Sequence, residues 1–140
     1  MTKEIHVLSL GAGVQSSAMY LMDCDNELDV KFDYCIFADV GDEPIAVMQH
    51  LKWLQDQGGC EILIRSKGCL GDDILNKDLE RVSSIPCFTY NEAAKSVGMI
   101  GRQCTNDYKI QVVERTIRRE ILGLKPRQRV PKDVKVWQYV

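Results

Sequence analysis

The stretch Ile5-His6-Val7-Leu8-Ser9-Leu10-Gly11-Ala12-Gly13-Val14-Gln15-Ser16-Ser17 decides the fold. An apolar strand, about residues 4–10, runs into small residues and hydroxyls, and then into a helix over about residues 14–23 whose apolar positions Val14, Ala18, Leu21 and Met22 share one face. Gly11 and Gly13 are read as letting the backbone turn tightly and approach an anion. Ser16 and Ser17 fall in the first helical turn, where unpaired N–H groups and the helix dipole favour negative charge. Such a junction is a phosphate seat, and its expected ligand is a nucleotide. The spacing is neither that of a Walker A loop nor that of the G-x-G-x-x-G dinucleotide fingerprint.

Working outward, Tyr34-Cys35-Ile36-Phe37-Ala38 is a continuous apolar run, as a strand buried on both faces of a parallel sheet requires. Pro44 stands at the first position of a second helix, which carries the stripe Val47, Met48, Leu51 and Leu54 as far as Gly58-Gly59. Glu61-Ile62-Leu63-Ile64-Arg65 is the third strand. Leu70, Ile74 and Leu75 suggest a short helix, Ile85 to Tyr90 an extended piece or a loop, and Gly98-Met99-Ile100-Gly101 a flexible turn. A long helix follows over about residues 106–122, with Ile110, Val113, Ile117 and Ile121 on one face, Thr105 as its N-cap and Gly123 as its stop. Val134 to Val140 alternates like a strand.

The expected fold class is therefore α/β, three-layered, with a mostly parallel sheet and helices on both faces, in one domain spanning residues 1–140. Ligands of such sheets lie beyond the C-terminal strand ends. The loops Ser9–Ser17, Ala38–Glu43 and Ser66–Gly68 all follow strands and open onto that edge.

Three segments carry a family resemblance. Gly11-Ala12-Gly13-Val14-Gln15-Ser16 aligns with the S-G-G-x-D-S signature of PP-loop ATP pyrophosphatases and phosphoadenosine phosphosulfate (PAPS) reductases, with Gln15 in place of the usual Asp. Phe37-Ala38-Asp39-Val40-Gly41-Asp42-Glu43-Pro44 resembles the D-T-G-x-x-x-P-E segment of the PAPS reductase branch. Arg102-Gln103-Cys104-Thr105-Asn106-Asp107-Tyr108-Lys109-Ile110 resembles the R-x-C-T-x-x-Y-K segment of PAPS-reductase-like proteins of phage and bacteria. Together they span about residues 5–110 in the family's order. The family's best-studied members are longer and carry C-terminal cysteines, whereas no cysteine follows Cys104 here.

The resemblance implies an adenine nucleotide alpha-hydrolase-like fold that binds ATP or an adenosine phosphosulfate, acting as an ATP pyrophosphatase, a sulfurtransferase or a PAPS-reductase-like enzyme. It places Ser9, Gly11, Ala12, Gly13, Gln15, Ser16 and Ser17 around the phosphates, and Phe37, Ala38 and Asp39 at the adenosine. Arg102 and Lys109 become a phosphate clamp, with Lys109 and Cys104 as the catalytic candidates. Cys104 lies between a cation and a helix N-terminus, surroundings that favour a thiolate. Mg²⁺ is the expected counter-ion of a pyrophosphate leaving group, yet Gln15 brings no charge to it, so no residue is assigned as its ligand; Asp39 and Asp42 are alternative oxygen donors. The acceptor is left open between a nucleic acid, a protein and a small metabolite. A non-catalytic nucleotide-binding module of phage or mobile-element origin is the second reading.

Composition narrows the rest. Net charge is −2 over 140 residues, which gives no bulk reason for tight non-specific nucleic-acid binding, although Arg115, Arg118, Arg119 and Lys125 begin a basic last quarter. That cluster is read as a solvated helix end. No apolar stretch approaches a membrane span and no leader pattern opens the chain, so the expected location is the cytoplasm, with a membrane excluded as partner and an oligomer compatible. The six cysteines form no C-x-x-C pair; most are expected to be thiols, and Cys35 to be core. His6 is read as structural, and His50 as a helix residue without a partner.

Overall fold

A computed structural model describes residues 2–140. Strands β1 (Lys3–Ser9), β2 (Tyr34–Asp39) and β3 (Ile62–Ser66) alternate with helices α1 (Val14–Cys24) and α2 (Ile45–Gln55). After α3 (Leu70–Leu75) come β4 (Phe88–Asn91) and β5 (Ser96–Met99), then four helical segments end to end: α4 (Gln103–Thr105), π-helical Asn106–Ile110, α5 (Gln111–Thr116) and π-helical Ile117–Ile121. We call this continuous run the long helix. Strand β6 (Val134–Tyr139) completes a four-stranded, wholly parallel sheet in the order β3-β2-β1-β6.

Alternation along the strands builds two cores. Leu8, Cys35, Phe37 and Ile62 point to the face covered by Tyr20 of α1 and by Leu51 and Leu54 of α2. Their neighbours Ile5, Val7, Ile36 and Ala38 meet Val112, Val113 and Ile117 of the long helix on the opposite face. Helices thus cover both faces, and β2 reads as an unbroken apolar run because every residue from Cys35 to Ala38 is buried. The chain winds outward from β1 to β3 over one face and returns over the other to β6, which leaves the C-terminal ends of β1 and β6 flanking the point where the order reverses.

Several local expectations are corrected. The buried residues of α1 are Ser17, Tyr20 and Asp23, while Val14 is 83% exposed and Met22 also faces solvent. These three inward residues each carry a polar group that finds a partner, and Met19, Leu21 and Cys24 pack beside them against the core. Tyr20 donates its hydroxyl hydrogen to the Cys60 carbonyl at 3.1 Å, and the Asp23 carboxylate accepts the Phe32 N–H at 3.0 Å. Of the expected stripe only Leu21 packs against the core, because a periodicity that counts only apolar residues misses the buried polar groups of such a helix.

The long helix starts at Gln103, so Thr105 is helical rather than a cap, and Asp107 and Tyr108 are buried where Ile110 was expected. Gly123, at φ 62°, ends it as expected. Pro44 precedes the first turn of α2 instead of occupying it. The segment read as a flexible turn at Gly98–Gly101 instead contributes Gly98 and Met99 to β5, which pairs antiparallel with β4. Cys35 is core, as expected, but it is disulfide-bonded to Cys60, leaving Cys24, Cys69, Cys87 and Cys104 as free thiols.

Among the described residues, no helix is long and apolar enough to cross a membrane.

Candidate functional site

The junction of β1 and α1 lies on the C-terminal edge of the sheet, with Leu10 anchored in the core by its N–H bond to the Ile36 carbonyl. The left-handed residue of the turn is Ala12, at φ 55°, not either glycine. Gly13 is extended and precedes the first helical residue, and no side chain caps the N–H groups that follow. A Cβ built on Gly13 would meet nothing within 4 Å, so the backbone faces open space. Ser16 turns its hydroxyl back toward the Gly13 carbonyl at 3.4 Å, while Gln15 is exposed with no side-chain partner among the described residues. This helix end presents unpaired donors to open space, the chemistry that receives an oxyanion.

Two serines of the loop are occupied elsewhere. Ser17 is buried and its hydroxyl lies 2.9 Å from His50 Nε2 on α2. Ser9 accepts a hydrogen bond from the Gln138 side-chain amide of β6 at 2.8 Å, on the sheet face opposite α1. His50 therefore has a partner after all, and a signal for it was present: with Val47, Leu51 and Leu54 it completes the inward stripe of α2. His6 is structural as expected, its Nδ1 being 2.9 Å from the Tyr139 hydroxyl.

Beyond β2, Phe37 is 1% exposed and Ala38 is buried, so both side chains serve the core and only their backbone reaches the edge. Asp39 accepts the Gly41 N–H at 2.8 Å, closing the turn. Asp42 accepts the Gly71 N–H at 2.5 Å and lies 3.5 Å from Cys69 Sγ, which ties the loop to the start of α3. Both carboxylates are thus committed to local bonds, and among the described residues no group of three or more His, Cys, Asp or Glu side chains is gathered in the manner of a metal site.

The long helix brings Lys109 to this edge, where its ammonium pairs with Glu43 at 3.2 Å. Arg102, exposed just before Gln103, has no polar partner among the described residues. Arg102 precedes α4 whereas Lys109 lies in the π-helical Asn106–Ile110, so the seven positions between them are not two regular α-turns. Cys104 is half-buried within α4, its backbone N–H bonded to the Ser84 carbonyl at 3.1 Å.

Beneath these groups lies a polar knot that the sequence did not announce. Ser83 donates its hydroxyl hydrogen to Asp107, whose carboxylate also accepts from Asn106 at 3.0 Å and Gln111 at 3.2 Å. The Ser83 and Asn106 bonds hold Asp107 below the usual carboxylate range. Tyr108 donates its phenolic hydrogen to Asp73, and Lys67 sits 4.6 Å above its ring. The Asp73 bond, with burial second, pushes the phenol up to about 12 from 10.0. A phenol so raised contributes stability that is complete below pH 10 and is lost as pH climbs toward 12. In an ultraviolet titration of the folded protein, Tyr108 should ionise in that upper range, and Asp73→Asn should bring it back toward 10; an Asp73→Asn titration identical to wild type counts against the pairing.

A cavity of about 660 Å³ runs from Ser66 and Lys67 along the long helix past Asp107, Arg115 and Glu120, and includes no residue of the β1–α1 loop. Two arginines of the basic last quarter are tied to backbone carbonyls. Arg118 donates to the Gln128 carbonyl and Arg119 to that of Leu124, while Arg65 grips Glu120 at 2.6 Å.

No protein-family model, curated protein or solved structure matches the chain.

Proposed function

We propose that this chain is an adenine-nucleotide-binding domain of the PP-loop, PAPS-reductase-like group, with an adenine nucleotide alpha-hydrolase-like fold. The observation that carries this reading is the uncapped N-terminus of α1 behind a small-residue loop, set at the C-terminal edge of a parallel sheet. A detail of that loop supports it. Ala12 aligns with the first glycine of the signature and is the residue held at φ 55°, a conformation that glycine adopts without strain.

In this reading the α1 N–H groups and the Ser16 hydroxyl bind the phosphates. Lys109 approaches from the long helix and neutralises charge on a pyrophosphate or phosphosulfate group, as electrostatic catalysis of phosphoryl and adenylyl transfer requires. The β2–α2 loop offers backbone groups to the adenosine. In this reading the activity is that of an ATP pyrophosphatase or sulfurtransferase, with a nucleic acid, a protein or a small metabolite as acceptor. A second reading, a non-catalytic nucleotide-binding module, is favoured by the neutral Gln15 and by the commitment of Asp39 and Asp42 to backbone N–H groups.

Gly13→Val is the direct test. Its φ of −82° and open surroundings allow a side chain without strain, so the variant should melt with wild type while the branched group fills the phosphate's approach. Millimolar ATP should raise the melting temperature of the wild type alone. Equal stabilisation of both proteins, or none of either by ATP, AMP or a phosphosulfate analogue, sinks the assignment.

Lys109 gives a second test, because Glu43 now competes for its charge. A charge-assisted contact to phosphate is worth roughly 1.5–3 kcal/mol, so Lys109→Ala should weaken ATP binding about ten-fold or more and leave adenosine binding unchanged. Glu43→Gln should strengthen ATP binding by releasing the ammonium. Equal losses for ATP and adenosine in Lys109→Ala would assign the residue to the fold.

A further inference from the structure

The eight residues of β4 and β5 are all exposed. Their register sets Phe88 opposite Met99 and Tyr90 opposite Val97, and directly opposed residues of an antiparallel pair share a face. Thr89, Asn91, Ser96 and Gly98 take the other face. One side of the hairpin is therefore wholly apolar, with Phe88 78%, Met99 66%, Tyr90 64% and Val97 69% exposed. A two-stranded hairpin with both faces in water is marginal by itself, and a contiguous apolar patch of this kind marks an interaction surface.

We propose that this face is a self-association surface, on which a second copy of the chain seats its own Phe88–Met99 and Tyr90–Val97 pairs across a two-fold axis. Three arguments select that occupant. The patch is self-complementary, two flat aromatic rings beside the compact Val97 and the adaptable Met99, as an isologous contact demands. It is also neutral: Glu92 and Lys95 are the charged residues between Ile85 and Ile100, whereas a nucleic acid or an anionic lipid surface calls for a basic stripe. The area is adequate. Taking about 150–250 Å² for an aromatic side chain and less for Val and Met, the exposed fractions leave roughly 500 Å² per copy, and pairing removes about 1,000 Å², the lower bound of a specific interface. The dimer is thus one that dissociates on dilution. This inference is independent of the nucleotide reading.

Sedimentation equilibrium on the whole chain without nucleotide, over a concentration series, tests it. The wild type should pass from 15.9 kDa toward twice that mass as concentration rises. The double variant Phe88→Thr/Val97→Thr should stay at 15.9 kDa throughout. Threonine keeps the strand propensity and neither position contributes to the core, so circular dichroism and melting should match wild type. Tyr90→Arg, which sets like charges across the axis, should be monomeric as well and decides the matter alone if the double variant does not fold. A wild type that remains at 15.9 kDa at every concentration overturns the proposal and leaves the face to a different protein. Undiminished association in folded variants overturns it equally.

Discussion

Phe37→Ala should cost the fold about 3–5 kcal/mol, the usual range for emptying a core position of a large aromatic. The ring is 1% exposed and lies in the cluster shared with Leu8, Tyr20, Leu51 and Leu54, so the surrounding side chains belong to three different elements and cannot collapse together onto the void. Against a total stability of about 5–15 kcal/mol, that loss is visible as a large fall in the urea midpoint. The experiment also separates two roles. Where the variant remains folded, its nucleotide affinity should equal that of the wild type, and a loss of affinity without a loss of stability would return Phe37 to the adenosine site.

Gly41→Ala should be comparably damaging for a different reason. Gly41 has φ 81°, and a Cβ there would lie 2.7 Å from the Cα of Cys69, a backbone atom that cannot swing aside. A non-glycine residue in this conformation costs about 1–3 kcal/mol, and overpacking adds about 1–3 kcal/mol. Gly58→Ala is the control. Its φ is 76° but nothing lies within 4 Å of the added carbon, so it pays the backbone cost alone. If the two variants melt together, the close approach of the β2–α2 loop to Cys69 is not what holds this edge of the sheet.

The sheet was legible in the sequence because its central strand β2 is buried on both faces, its edge strand β6 alternates and its helices are punctuated. The run Cys35 to Ala38, the stop at Gly123 and the alternation from Val134 each follow from an elementary rule of burial or turn geometry. What failed to show was polar burial. Ser17, Asp23 and Asp107 look solvent-facing in sequence, and only the partners His50, Phe32 and Ser83, brought from 9 to 33 positions away, make their burial tolerable. The candidate site divides along the same line. The open loop before α1 can be read locally, because it is contiguous, whereas the pairing of Lys109 with Glu43 and the diversion of Ser9 to Gln138 depend on which elements the sheet sets side by side. The hairpin escaped notice because its alternation is short and interrupted by Gly98.

The contact between β1 and β6 imposes an order on synthesis. His6 and Tyr139 meet although they are 133 residues apart, and β1 pairs along that edge from Lys3 to Leu8. At about 5–20 residues per second, the ribosome leaves β1 without this neighbour for roughly 7–26 s after the strand has been made. During that interval the nascent chain exposes an unpaired strand edge beside half of an apolar core. The growing protein is then a substrate for whatever shields such edges in the cell, and a ribosome stalled before Val134 should release a product that aggregates instead of a smaller folded domain.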